Sequence, residues 1–247
     1  MMKIDINADL GEGFMFDEDL MALISSCNIA CGGHAGTENS MRATIRLAKA
    51  NGVTIGAHPS YPNPEVFGRE EMNISDALLK KTLRDQIMTL IRIAKEEGTV
   101  VRYVKPHGAL YNKAAVDQEM AALLVEVVQQ IEPSVGLMGL AGSVLEEEAK
   151  KGYLMFIKEG FADRKYTSDR TLVSRNLSSA VIHSNAAVWA QVEQMVRDQK
   201  VMSNTQTEVE IKVDSICFHG DTPEALALLT AVSQQLKTHK IKVTNAI

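Results

Sequence analysis

The sequence predicts an α/β protein: one domain over residues 1–247 in which seven or eight parallel strands close into a barrel of the TIM type or a distorted relative. Three observations predict it. Short apolar runs alternate with amphipathic helical segments along the chain, the order that builds a parallel sheet. Four of the six histidines stand where such a run meets a Gly-containing turn: Gly33-His34, Ala57-His58-Pro59, Pro106-His107-Gly108 and Phe218-His219-Gly220. Buried parallel strands exit at one carboxyl edge, where α/β proteins hold ligands, so these histidines converge. No Ser/Gly/Pro-rich linker, low-complexity tract or charge block divides the chain. A doubly wound open sheet is the alternative assembly of the same elements.

The strands read as Lys3 to Ala8, Cys27 to Cys31, Val53 to Ala57, Val100 to Lys105, Val135 to Leu140, Leu154 to Lys158 and Ser215 to Phe218, with Ile241 to Thr244 a weaker eighth. Helices with spacing near 3.6 fall between them. Met41, Ile45 and Ala48 share a face, and Asn51-Gly52 ends that helix. Ser75 caps a longer one bearing Leu83, Ile87, Leu90, Ile91 and Ala94 on one face, stopped by Gly98. Asp117 caps the next. Ser143 and Glu146 form a capping box, Gly152 closes that helix, and Thr222-Pro223 opens the last, Glu224 to His239. From Glu159 to Lys200 the rhythm breaks into a long polar stretch before a helix near Ser184, and long loops in compact domains are usually functional.

With 247 residues and 45% hydrophobic content the chain is long enough to bury a sizeable core. A net charge of −5 with scattered basic residues points away from nucleic acid and anionic membrane. The amino end lacks a signal-peptide core, and no apolar run approaches membrane-spanning length, the pattern of a cytoplasmic protein. Three cysteines in apolar segments read as core residues, and Cys27-x-x-x-Cys31 is no zinc knuckle.

Asp5-x-Asn7-x-Asp9 alternates at period two, so the three side chains share one face. On an edge strand that face would be solvated; in a barrel it must be hydrogen-bonded or functional. Glu12 follows at the same edge, and Asp9 with Glu12 suits a cation, an acid–base pair or a hydrogen-bonded network. Arg69, in the loop after His58, is a clamp for carboxylate or phosphate or else a solvated surface group. Lys105, His107, Tyr111 and Asn112 crowd eight residues of the fourth exit. Asp163-Arg164 reads as an ion pair or ligand clamp, and His219-x-Asp221 pairs an imidazole with a carboxylate. His183 and His239 fall outside the exits. A phosphate loop, a G-x-S-x-G elbow, an H-E-x-x-H pair and a strand-linked G-x-G-x-x-G are all missing, which leaves carboxylate and imidazole chemistry with no metal-ligand motif assigned.

Asp5 to Glu12, Asn28-Ile29-Ala30-Cys31-Gly32-Gly33-His34-Ala35-Gly36, Gly56-Ala57-His58-Pro59, Phe67-Gly68-Arg69, Val104 to Asn112, Phe161-Ala162-Asp163-Arg164-x-Tyr166 and Cys217-x-His219-Gly220-Asp221-Thr222-Pro223 together strongly resemble the lactam-utilisation family. The resemblance implies an irregular, TIM-like β/α barrel of about seven strands, related to glycoside hydrolases and polysaccharide deacetylases. It implies hydrolysis of 5-oxo-L-proline to L-glutamate coupled to ATP as co-substrate, in a complex with two other subunits, B and C. Three positions depart from the family pattern: Met15 and Arg170 stand where Gly is usual, and Thr37 where Asp is usual.

Opening a resonance-stabilised lactam needs an activated carbonyl, an activated water and a proton for the leaving nitrogen. The expected roles give Asp9, Glu12 and His34 to water activation or proton transfer, His58 and His107 to proton transfer at the ring, and Lys105 to charge on oxygen or phosphate. Asn7, Arg69, Tyr111, Asp163 and Arg164 are expected around the substrate, with His219 and Asp221 as supporting partners. Two other readings remain. One is a deacetylase-type amide hydrolase in which Asp9 with His34, His58 or His107 holds a divalent metal. The other is a non-catalytic subunit that only binds substrate or nucleotide.

Overall fold

The computed structural model describes residues 2–132, 134–220 and 224–247. Seven parallel strands close the barrel: β1 (Lys3–Leu10), β2 (Ser26–Ala30), β3 (Thr54–His58), β4 (Val101–Val104), β5 (Gly136–Leu140), β6 (Phe156–Phe161) and, after a two-stranded excursion, β9 (Ser215–Phe218), which pairs with both β6 and β1. The excursion is an antiparallel hairpin, β7 (Lys200–Met202) with β8 (Glu208–Glu210). The weaker eighth strand exists as β10 (Lys242–Val243). It pairs only with Lys3 and Ile4 at the start of β1 and is not a stave of the barrel.

The helices are α1 (Asp17–Met21), α2 (Glu38–Asn51), α3 (Asp76–Glu96), α4 (Gly108–Val116), α5 (Gln118–Gln129), α6 (Val144–Lys151), α7 (Asn185–Asp198) and α8 (Ala225–Thr238). Their ends follow the sequence signals. Thr37 caps α2 in a reciprocal pair with Ser40, so the departure from Asp costs no cap. Ser75, Asp117, Ser143 and Ser184 each accept a backbone N–H of the first turn they cap. The expected box at α6 is only half formed, because Glu146 takes the N–H of Gly142 and not that of Ser143. The predicted start of the last helix, Thr222-Pro223, lies outside the described residues. Arg170 has a φ of 68°, the left-handed region where the family's Gly carries no penalty. None of the described helices is long and apolar enough to cross a membrane.

Two differences position the site. Strand β6 starts later than predicted and runs on to Phe161, so Glu159 enters the barrel. Helix α4 begins directly after His107, where a loop is expected. The barrel interior is polar as well as apolar. Alternation along β1 turns Ile4, Ile6, Ala8 and Leu10 to one side and Asp5, Asn7 and Asp9 to the other, all buried. Asp5 accepts from Ser25, Ser26 and Ser215, so its carboxylate is held by three hydroxyls from the starts of two strands, β2 and β9. Tyr103 crosses the interior to donate to Asn28 at 2.8 Å, and its ring requires Gly56 on the next strand, since a Cβ there would lie 2.2 Å from it.

Candidate active site

All four exit histidines lie at the carboxyl end of the barrel. His34 follows β2, His58 ends β3, His107 precedes α4 and His219 follows β9. The rings of His34 and His107 stack with centroids 3.6 Å apart, and His58 meets both edge-on. The loop carrying Phe67 to Arg69 is clasped against them: His107 Nε2 donates to the Phe67 carbonyl, and Ala109 donates to the Gly68 carbonyl. Gly108 permits this contact, because at φ 58° a Cβ would stand 2.4 Å from the Gly68 oxygen.

A cavity of about 580 Å³ occupies this end of the barrel. Asp9, Glu12, His58, Lys105 and His107 form one side, and Tyr111, Phe161, Arg164, Arg175 and His219 the other, with Arg69 at the loop between. Asn7, His34 and Asp163 stand behind this lining. Asn7 is expected at the substrate, but its amide donates to Glu159 and Ser215 and its oxygen accepts from Asn28 and Lys105, which makes it a positioning residue. His34 is buried against Glu12, with Nε2 2.9 Å from Oε1. Asp221 lies outside the described residues.

Lys105 is the hub of the first side. Its ammonium donates to Asp9 at 2.8 Å and Glu159 at 2.9 Å, and also lies near Asn7 Oδ1 and Cys217 Sγ. Burial alone would push this amine down, yet the charge of Asp9, with Cys217 and Glu159, carries it well above its ordinary value. Burial likewise raises Asp9, but His58 and Lys105 outweigh it and hold the carboxyl well below the usual range. Lys105 is therefore a permanent cation whose three protons are already directed at protein acceptors. Lys105 is expected to meet charge on oxygen or phosphate; in the structure its ammonium holds Asp9 and Glu159 at the cavity wall. His107 is driven well below its ordinary value, by burial first and then by the charges of His58 and His34, and burial also lowers His34. Glu12, His34, His58 and His107 offer ligand atoms all within 4.8 Å of one another, the group here able to hold a metal ion.

The second side is organised by Asp163 and His219. Asp163 serves His219, taking Nδ1 at 2.9 Å and the His219 backbone N–H at 3.3 Å, so the outer His219 nitrogen is left for the cavity. Burial raises Asp163, but His219 first, then Arg175 and Arg164, pull it below the usual range. Arg164 ties down the following loop through the Val173 carbonyl at 2.6 Å. Tyr111 packs edge-on against Phe161, and burial with the nearby Glu159 charge raises its phenol well above normal.

Glu159 and Arg175 are site residues that sequence reasoning did not select. Glu159 shares its strand face with the apolar Ile157 and Phe161, so no polar alternation like that of β1 marks it. Arg175 stands in the polar stretch after β6 and has no pattern of its own.

An irregular parallel β/α barrel with carboxylate–imidazole groups at its carboxyl end defines a class of barrel proteins built for acid–base chemistry. Within it the chain belongs to the LamB/YcsF family, whose model matches residues 4–247. It is 45% identical over 244 residues to the A subunit of 5-oxoprolinase from Haemophilus influenzae (strain PittEE), covering 99% of this chain and 100% of that one. A Campylobacter jejuni (strain 81-176) protein of the same name is 42% identical, with 98% and 97% covered. The crystal structure of a lactam utilization protein from Thermus thermophilus superposes with a TM-score of 0.91 at 36% identity, over 98% of this chain and 99% of that one.

Proposed function

We propose that this chain is the ring-opening subunit of a cytoplasmic ATP-dependent 5-oxoprolinase, cleaving 5-oxo-L-proline to L-glutamate with two partner subunits, B and C. The observation that carries the reading is one cavity that brings together two acid–base sets, Asp9/Glu12/His58/His107 and, beside Asp9 on the neighbouring strand β9, His219 held by Asp163. A lactam needs both. ATP activates the ring by phosphorylating the lactam oxygen, at least partly in the partner subunits. Water, relieved of a proton by the first set, adds to the activated carbon. The ring C–N bond then breaks as His219, oriented by Asp163, hands a proton to the nitrogen, and a second water hydrolyses the resulting γ-glutamyl phosphate to L-glutamate and inorganic phosphate. Arg69, Arg164 and Arg175 supply cationic surroundings for the substrate carboxylate or the phosphoryl group, and Tyr111 with Phe161 covers the ring. A binding-only scaffold needs none of this pairing. A metal-assisted amide hydrolase is the second reading, favoured by the His/Glu group beside the cavity.

The test is glutamate release from 5-oxo-L-proline plus ATP, with and without the two partner subunits. Turnover is expected only in the reconstituted complex. Full ATP-coupled turnover by this chain alone would refute the division of labour, and none in any combination would refute the substrate.

A further inference from the structure

Two imidazoles in the cavity wall face each other with bare nitrogens. His58 Nδ1 lies 2.8 Å from the Lys105 carbonyl oxygen, which can only accept, so Nδ1 carries the hydrogen and Nε2 turns its lone pair inward. His107 is fixed in the opposite sense: Nε2 is 2.9 Å from the Phe67 carbonyl oxygen, leaving Nδ1 as the inward lone pair. The two inward nitrogens are 3.0 Å apart. Two acceptors at that distance require positive charge between or beside them. Glu12 Oε1 stands 3.5 Å from His107 Nδ1 and 4.0 Å from His58 Nε2, and Asp9 Oδ2 stands 3.5 Å from His58 Nε2. Charge-assisted N–H···O hydrogen bonds run at about 2.7–2.9 Å, shorter than these carboxylate contacts. Atoms bound about 2.1 Å from one ion sit about 3.0–3.5 Å from each other, which these nitrogens and oxygens approach.

We infer that His58 Nε2, His107 Nδ1 and a Glu12 oxygen bind one divalent transition-metal ion, with Asp9 flanking it and the cavity side open. His34 is within reach but is not a ligand. Its ring lies parallel to that of His107, 5° from coplanar orientation and 3.6 Å away, so an ion in the plane of one ring is far out of the plane of the other. His34 instead orients Glu12 through the 2.9 Å contact, as the two backbone carbonyls orient the ligating rings. A divalent cation there supplies Lewis acidity toward an amide oxygen or lowers the pKa of adjacent water. The inference goes beyond the lactam reading and does not depend on it.

The test uses the full chain, purified without a metal-affinity tag, stripped with chelator and titrated with Zn²⁺ and Co²⁺ while elemental content and the Co²⁺ visible spectrum are followed. One ion per chain and nitrogen-ligand bands are expected. His58→Gln and His107→Gln lose more than the about 10–100-fold typical of an outer partner, and His34→Phe, which keeps the stack, loses about that amount. A folded, stripped chain that takes up no stoichiometric ion at micromolar concentration overturns the inference, as does a His107→Gln chain that binds like the parent. Should the variants unfold, imidazole ¹⁵N shifts of the parent decide. Movement of both inward nitrogens on adding Zn²⁺ supports the site, whereas a shared N–H–N proton indifferent to Zn²⁺ overturns it. A chain that binds the ion but opens no lactam in the complete complex refutes the proposed function and leaves this inference standing.

Discussion

Replacing Lys105 with methionine keeps much of the stem but deletes the ammonium 2.8 Å from Asp9 and 2.9 Å from Glu159. Two buried carboxylates then lose the cation between them. Breaking a buried ion pair by removing one partner costs about 3–5 kcal/mol. Asp9 retains the Asn28 amide and Glu159 retains the Asn7 amide, which favours the lower end, about 3 kcal/mol. For a chain of this length each kcal/mol moves Tm by about 2–4 °C, so a fall of about 6–12 °C is expected at neutral pH. The sign of the pH dependence follows from the direction of the Asp9 shift. In the parent its folded value is depressed, so its stabilisation is complete above the ordinary carboxylate range and is lost as pH drops through the folded value. In Lys105→Met the Lys105 contribution is gone while His58 and burial remain, so the folded value lies above the parent's and less stabilisation is lost on acidification. The gap between parent and variant should therefore narrow as pH falls below about 4, toward the parent's depressed value. Calorimetric melting of both proteins from neutral pH down through that range is the assay. A Tm within about 2 °C of the parent at neutral pH, or a gap that widens on acidification, would refute the reasoning.

Asp163→Asn should keep the fold but lower turnover of the reconstituted complex by about 100-fold or more, because an amide can fix His219 in the wrong tautomer; glutamate release within threefold of the parent contradicts a proton-donor role for that pair. Arg170→Gly should stabilise the chain by no more than about 1 kcal/mol in urea melts, since relief at φ 68° is offset by the added freedom of the unfolded chain. A large loss would mean that the Arg170 side chain, which packs over Gly142, matters more than its backbone.

Much of the fold was legible because buried parallel strands and capped helices leave direct marks. Ser75, Asp117 and Ser143 all cap where the sequence puts them, and the four histidine exits converge because parallel strands share one edge. Tertiary partnership was not legible. Asp163 and His219 are 56 residues apart and pair across neighbouring strands, a partnership that no sequence spacing marks. Lys105 looks like a free cation at an exit, yet Glu159 from β6 and Asp9 from β1 consume it, a contact no local pattern encodes. For the same reason Asp9→Asn should weaken folding despite its place at a strand exit, because it removes one of the two charges that hold Lys105. Short elements were lost for another reason: α1 and the β7–β8 hairpin are set by packing and not by periodicity.

The central claim is that the imidazole–carboxylate cavity of this chain opens the ring. Its most direct test is the rate of glutamate release from 5-oxo-L-proline and ATP by complexes assembled with parent chain or with His107→Ala, each checked for folding by thermal melting. The complex with the parent chain should turn over, and the folded variant should be slower by about 100-fold or more. A folded His107→Ala chain that supports the parent rate would contradict the account.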